Sequence, residues 1–205
     1  MITNRYRLLA GAAAATLALG ITATSAGAAD IFTLKSSTFS EGQIMPKKVS
    51  QSTANVPTNK NCVGENVSPQ LSWTNVPNGT KSFIIINVDL EGRGGAGVDQ
   101  WVAYGIPASL TGLAEGEGSK PSANFVGGKN IGGGLVYSGP CTPPNTTPHH
   151  YNFILLATDF DPKDLPPGLT SREVQDKLAP PPGQPPAHTK GASALTGLFV
   201  NPYPQ

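Results

Sequence analysis

Four polar residues in this chain lie at the ends of strongly apolar runs, and together they could hold a small anion. Asp89 closes FIIINVD (83–89), Gln100 precedes Trp101, and His149 and Tyr151 open the run that continues as NFILLA. Side chains alternate faces along a strand, so His149 and Tyr151 share a face with Phe153 and Leu155, while His150 takes the other. By the same rule Asn87 and Asp89 share the face of Phe83 and Ile85. If the two runs lie side by side, Asp89 and His149 come together at one end. A carboxylate beside an imidazole orients its tautomer and favours the charged ring. Gln100 would add an amide and Tyr151 a hydroxyl. The bland alternative is a hydrogen-bonded cluster that only finishes the strand ends.

The segment before His149 is stiff. GPCTPPNTTPHHY (139–151) has prolines at 140, 143, 144 and 148, and each fixes φ and removes a donor. A rigid loop beside a carboxylate and an imidazole suits a preformed polar pocket. Catalysis asks for more. No Gly-x-Ser-x-Gly elbow occurs, the three histidines lack metal-ligand spacing, and Asp89 with Glu91 sits against a glycine-rich loop unsuited to an acid/base pair. The expectation is a non-enzymatic protein with no metal and no cofactor. GRGGAG (92–97) and GGKNIGGG (127–134) read as flexible loops, because both lack the Gly-Lys-Ser/Thr ending of a phosphate loop.

The elements that must position these residues are mostly strands. Period-two apolar runs predict strands over 32–35, 70–73, 82–89, 101–106, 151–158 and 194–200. The runs at 83–89 and 151–157 are apolar on both faces, which places them centrally between two layers. Trp73, Trp101, Tyr104 and Phe153 read as core. Thr170-Ser171-Arg172-Glu173 forms a capping box ahead of a helix with Val174 and Leu178 on one face. GQPPAHTKGA (183–192) reads as a proline-rich connection into the last strand.

Residues 1–28 have the pattern of a secretion signal. Arg5 and Arg7 are a basic start, 8–21 is apolar and alanine-rich, and Ala26-Gly27-Ala28 is a small-x-small cleavage site, with Ala29 next. An uncleaved anchor is the alternative. Residues 29–205 then form a single exported domain, periplasmic or secreted, with no later stretch apolar enough to span a bilayer. Without Arg5 and Arg7, 12 of the 14 Lys and Arg remain against 13 Asp and Glu. That balance, without a basic patch, argues against nucleic acid and against electrostatic docking on a membrane. Both cysteines, Cys62 and Cys141, lie in the exported part, where an even count predicts a disulfide. Two separate buried thiols are the alternative.

Across residues 32–199 the chain resembles the phosphatidylethanolamine-binding protein family, in its bacterial Raf-kinase-inhibitor-like branch. GENVSPQLSW (64–73) and VPNGTKSF (76–83) match its first block, GPCTPP and PHHY match later ones, and HTKGASALTGLF (188–199) matches its C-terminal segment in spacing. The family's Asp-Pro-Asp-Ala-Pro turn reads Asp89-Leu90-Glu91-Gly92-Arg93 here, and its His-Trp pair reads Gln100-Trp101. The resemblance implies a mainly β fold, a large antiparallel sheet packed on a smaller one, with a few short helices near the C-terminus. It also implies an anion or phospholipid-headgroup pocket lined by Asp89, Gln100, Gly139, Pro140, His149 and Tyr151. The partner implied is a small anionic or phosphorylated ligand. Inhibition of a protease or kinase through surface loops is the alternative, and hydrolysis of phosphoesters or esters is a third class. Gln100 replaces an ionisable histidine with a neutral amide, and Leu90 and Arg93 replace both prolines of the turn.

Overall fold

The computed structural model describes residues 30–144, 147–179, 182–183 and 188–204. The expected secretion signal over 1–28 lies outside them. Among the described residues no helix is long and apolar enough to cross a membrane. The chain folds as two antiparallel sheets. The larger runs in the order β6 (Val126–Gly128), β4 (Val98–Pro107), β3 (Ser82–Asp89), β7 (His149–Thr158), β8 (Thr189–Phe199). The smaller is β1 (Thr33–Lys35), β2 (Leu71–Thr74), β5 (Gly112–Leu113).

Both faces of the larger sheet are buried, as the doubly apolar runs require. One face meets the small sheet: Phe83, Ile85, Trp101, Phe153 and Leu155 pack against Leu34, Leu71, Trp73 and Leu113. The opposite face carries Ile84, Ile86, Val102 and Tyr104, and is closed by Leu165, Val174 and Leu178. The last two come from α2 (Ser171–Leu178), whose N-cap Thr170 accepts from the Glu173 N–H while the Glu173 side chain accepts from Thr170. The Ser171 hydroxyl donates to Asp99, joining the helix to β4.

Two expectations are corrected. Residues 126–128 form β6, although 127–134 reads as flexible loop. Backbone pairing with Val102–Tyr104 replaces what glycine side chains cannot supply, and a Cβ on Gly127 would fall 2.1 Å from the Leu135 carbonyl oxygen. The last strand begins at Thr189 rather than 194, because its small residues pair along the whole of β7.

The segment 137–142 is tied down at successive residues. The Tyr137 N–H donates to Gly118 O, and the Ser138 N–H to Gln100 O. The Gly139 N–H donates to Asn66 Oδ1, and Pro140 O accepts from the Gln51 N–H and the Ser50 hydroxyl. Gly139 runs so close to the chain at 49–51 that a Cβ there would lie 1.9 Å from Val49 O. Asn66 also donates to Tyr137 O, so the GENVSPQLSW block braces this segment. Cys141 is bonded to Cys62, their Cα atoms 4.5 Å apart and 79 positions apart in sequence.

Asn87 is fully buried on the inter-sheet face, beside Trp101 in the ladder, and neither its amide atoms nor the Trp101 Nε1 has a hydrogen-bond partner among the described residues. A buried, unpaired amide costs about 1–3 kcal/mol. Asn87→Leu, close in size, should therefore raise stability to urea by an amount of that order. A loss of similar size would mean that the amide has a partner, such as buried water, that leucine forfeits. For the bridge, denatured non-reduced protein made in an oxidising compartment should show no thiol to an alkylating reagent. Its reduction should lower stability by on the order of 4 kcal/mol, the chain-entropy value for such a loop. Two reactive thiols per chain would contradict the pairing.

Candidate functional site

The register of β3 against β7 sets Asp89 opposite Tyr151, and His149 two residues beyond on the same face. Asp89 is buried, and its carboxylate is surrounded by donors. His149 Nδ1 lies 3.0 Å from Oδ1 and 3.1 Å from Oδ2, and the Tyr151 hydroxyl donates to Oδ2 at 3.1 Å. The backbone N–H groups of Glu91 and Gly92 donate to Oδ1 at 3.2 and 3.1 Å. A short aspartate side chain is suited to this turn, because it can reach backbone donors two and three residues on. Because the phenol proton is committed to Asp89, the Thr142 hydroxyl is the donor in its 3.0 Å contact with Tyr151. Burial, then the Asp89 charge, pushes the Tyr151 phenol far above its ordinary value, so it stays a neutral donor.

A parallel pair sits on the other face of β7. Glu91 accepts from the His150 N–H and from its ring Nδ1, both at 2.7 Å. Burial pushes the Glu91 carboxyl up, but hydrogen bonds from His150 and from its own backbone outweigh this and hold it below the ordinary carboxylate range. Both carboxylates at this end of the sheet thus stand against an imidazole.

These residues open on a cavity of about 390 Å³ lined by Asp89, Glu91, Arg93, Gln100, His149 and Tyr151, and by the loop 141–144. Gln100 enters it through a β-bulge. Asn87 pairs with Trp101 and Val88 with Asp99, which leaves Gln100 as the extra residue. A bulge re-aims a side chain, and here it brings an amide with no hydrogen-bond partner among the described residues to the lining. Gly139 and Pro140 are not in the lining. They are buried behind it against residues 49–51, and Cys141, Thr142, Pro143 and Pro144 face the cavity in their place. In the sequence Arg93 stands out only as the residue in place of the second proline of the turn. As the single cation of a glycine-rich loop following two acids, it carried a signal for the site.

Asp89, Glu91 and His149 each offer a ligand atom within 4.8 Å of the others, a spacing that a cation could use. Ligation would have to displace the hydrogen bonds just described. Those bonds leave the Gln100 amide and the Arg93 guanidinium as donors, with His149 Nε2 joining them only when the ring is protonated. Donors converging on a concave surface suit a bound anion.

The sequence profile of the phosphatidylethanolamine-binding protein family matches residues 35–182. A UPF0098 protein of Methanothermobacter thermautotrophicus is 35% identical over 147 residues, covering 70% of this chain and 89% of its own. LppC of Mycobacterium tuberculosis, which carries a lipoprotein name, is 32% identical over 180 residues, 86% of this chain and 76% of its own. Among solved structures, Escherichia coli YbcL, described as a member of the mammalian PEBP family, superposes with a TM-score of 0.69 at 26% identity. That match covers 82% of this chain and 98% of YbcL. With two antiparallel sheets in the same arrangement, the chain belongs to the phosphatidylethanolamine-binding protein family, in its UPF0098/YbhB/YbcL-like bacterial branch.

Proposed function

We propose that the protein is an exported, non-enzymatic binding protein whose cavity holds a small anionic group, such as a phosphorylated or carboxylated headgroup. The observation that carries this reading is His149, fixed through Nδ1 by a buried carboxylate at the edge of a cavity that also takes in Gln100 and Arg93. With Nδ1 committed to Asp89, Nε2 can donate to an anion when the ring is protonated. The family is named for binding phosphatidylethanolamine, and a phosphate-bearing headgroup is compatible with these donors. Export is supported by the Cys62–Cys141 bridge, by the signal-like N-terminal pattern and by the lipoprotein name of LppC.

The lining hydroxyls support binding over turnover. Tyr151 is held neutral, Thr142 is spent on Tyr151, and Cys141 is in the disulfide, which leaves no activated nucleophile among them. The two carboxylates are engaged by donors from His149, His150, Tyr151 and the backbone.

Sulfate keeps one charge state from about pH 5 to 8, the range in which an imidazole gains or loses its proton, so with sulfate as probe only the protein titrates. Calorimetry should show sulfate bound more tightly at acidic pH than at pH 8 by the wild type. His149→Ala should weaken binding at acidic pH, and Gln100→His should tighten it there. His149→Ala binding sulfate as the wild type does at every pH would contradict the assignment of the cavity.

A further inference from the structure

Counted with its one standing cation, the cavity is still negative. Asp89 and Glu91, from the end of β3 and the turn after it, bring two carboxylates to the lining. Arg93, in α1 (Gly92–Gly95), brings a single guanidinium. Val98 and Gln100 of β4 and the loop 141–144 bring no charge. On β7, Tyr151 stays neutral, His149 is charged only when protonated, and His150 holds Glu91 from outside the lining. With the His149 ring neutral, one net negative charge remains, and it attracts a cation.

The free atoms have the same preference. A carboxylate only accepts, so the contact with Asp89 puts the ring proton on Nδ1 and leaves a lone pair on Nε2 of the neutral ring. A carboxylate behind one ring nitrogen is the usual backing of a histidine that ligates a metal through the other. Ligation by Asp89, Glu91 and Nδ1 at once would displace the hydrogen bonds to Asp89. Ligation through Nε2 leaves them in place. Glu91 accepts one bond from His150 on each oxygen, and each oxygen keeps a second lone pair.

Gln100 is an independent sign of a ligand. It is only 7% exposed, the bulge delivers it to the lining, and its amide has no hydrogen-bond partner among the described residues. A buried polar group left unpaired in this way needs an explanation, and a bound ion is one. The amide oxygen is a neutral ligand well suited to a divalent ion.

We infer that the cavity binds a divalent transition-metal ion of the Zn²⁺ class, with His149 Nε2, Glu91 and the Gln100 amide oxygen as its protein ligands and Asp89 orienting the ring. The inference goes beyond the anion-binding reading, because it uses the neutral ring, which accepts, where an anion needs the protonated one. An imidazole ligand favours such ions over Mg²⁺ and Ca²⁺, which prefer oxygen alone. Three protein ligands leave a position for water, as in open zinc sites. Local spacing in the sequence does not announce this set, because its members come from the turn after β3, the bulge of β4 and the start of β7.

The test is calorimetry of untagged, chelator-treated protein at about neutral pH with the chlorides of zinc, magnesium and calcium. Zinc should bind at one ion per chain, with magnesium and calcium weaker by about tenfold or more. His149→Ala, Glu91→Gln and Gln100→Ala should each weaken zinc by about tenfold or more, the loss seen even for groups that only orient a ligand. Gln100→Glu, a charged ligand of the same reach, should tighten it. His188→Ala, which removes the ring paired with Asp159, should change nothing. Should a truncated variant melt far below the wild type, nitrogen NMR of the wild-type rings decides, with zinc shifting Nε2 of His149 and sparing His188. Zinc that fails to bind, or that binds equally well after all three ligand substitutions, would overturn the inference. Wild-type affinity in Gln100→Ala would overturn the ligand set, and equal affinity for magnesium the metal class. Zinc bound as expected by a protein that takes no sulfate at acidic pH would sink the anion reading alone.

Discussion

The buried carboxylate of Asp89 is the constraint on which this end of the molecule depends. A charge at that depth is tolerable only if donors surround it, and here four groups from two parts of the chain do so: two backbone N–H groups of the following turn, and the Tyr151 phenol and His149 ring of β7. Each donor is thereby fixed. The turn that carries Glu91 and Arg93 is set by the Asp89 side chain, the imidazole tautomer by the same oxygens, and Thr142 through the phenol. Removing the charge would free the tautomer and the turn together, so shape and electrostatics of the cavity have a common origin.

The other wall is held from behind. Residues 137–142 hydrogen-bond to the chain at residues 49–51, 66, 100 and 118, and the disulfide joins Cys141 to Cys62. The cavity thus lies between a sheet end ordered by one carboxylate and a loop ordered by backbone contacts. Neither wall needs a ligand to assemble, which reduces the ordering penalty on binding.

How much of this was legible follows from which physics the sequence displays. Period-two alternation put Asp89, His149 and Tyr151 on one face because β3 and β7 are regular over that stretch, and the capping box marked α2 for the same local reason. Alternation fails where the backbone departs from it. Gln100 reaches the cavity through a bulge, and no pattern of side chains announces an inserted residue. In the proline-rich loop the period is undefined, so Gly139 and Pro140 could not be told from Cys141 and Thr142 as lining residues. The strand at 126–128 was invisible because glycines carry no apolar signal, its pairing being made by backbone alone. The family resemblance supplied the two-sheet architecture, which local patterns only suggested.

The direct test of the Asp89 frame is the nitrogen NMR spectrum of the histidine rings, recorded with and without inorganic phosphate. The account predicts that His149 carries its proton on Nδ1 toward Asp89 in the free protein, and that phosphate shifts its Nε2 resonance. His188, which pairs with Asp159 beyond the opposite end of β7, should not respond. A His149 ring protonated on Nε2 alone, or one that phosphate leaves unmoved at saturating concentration, would contradict it.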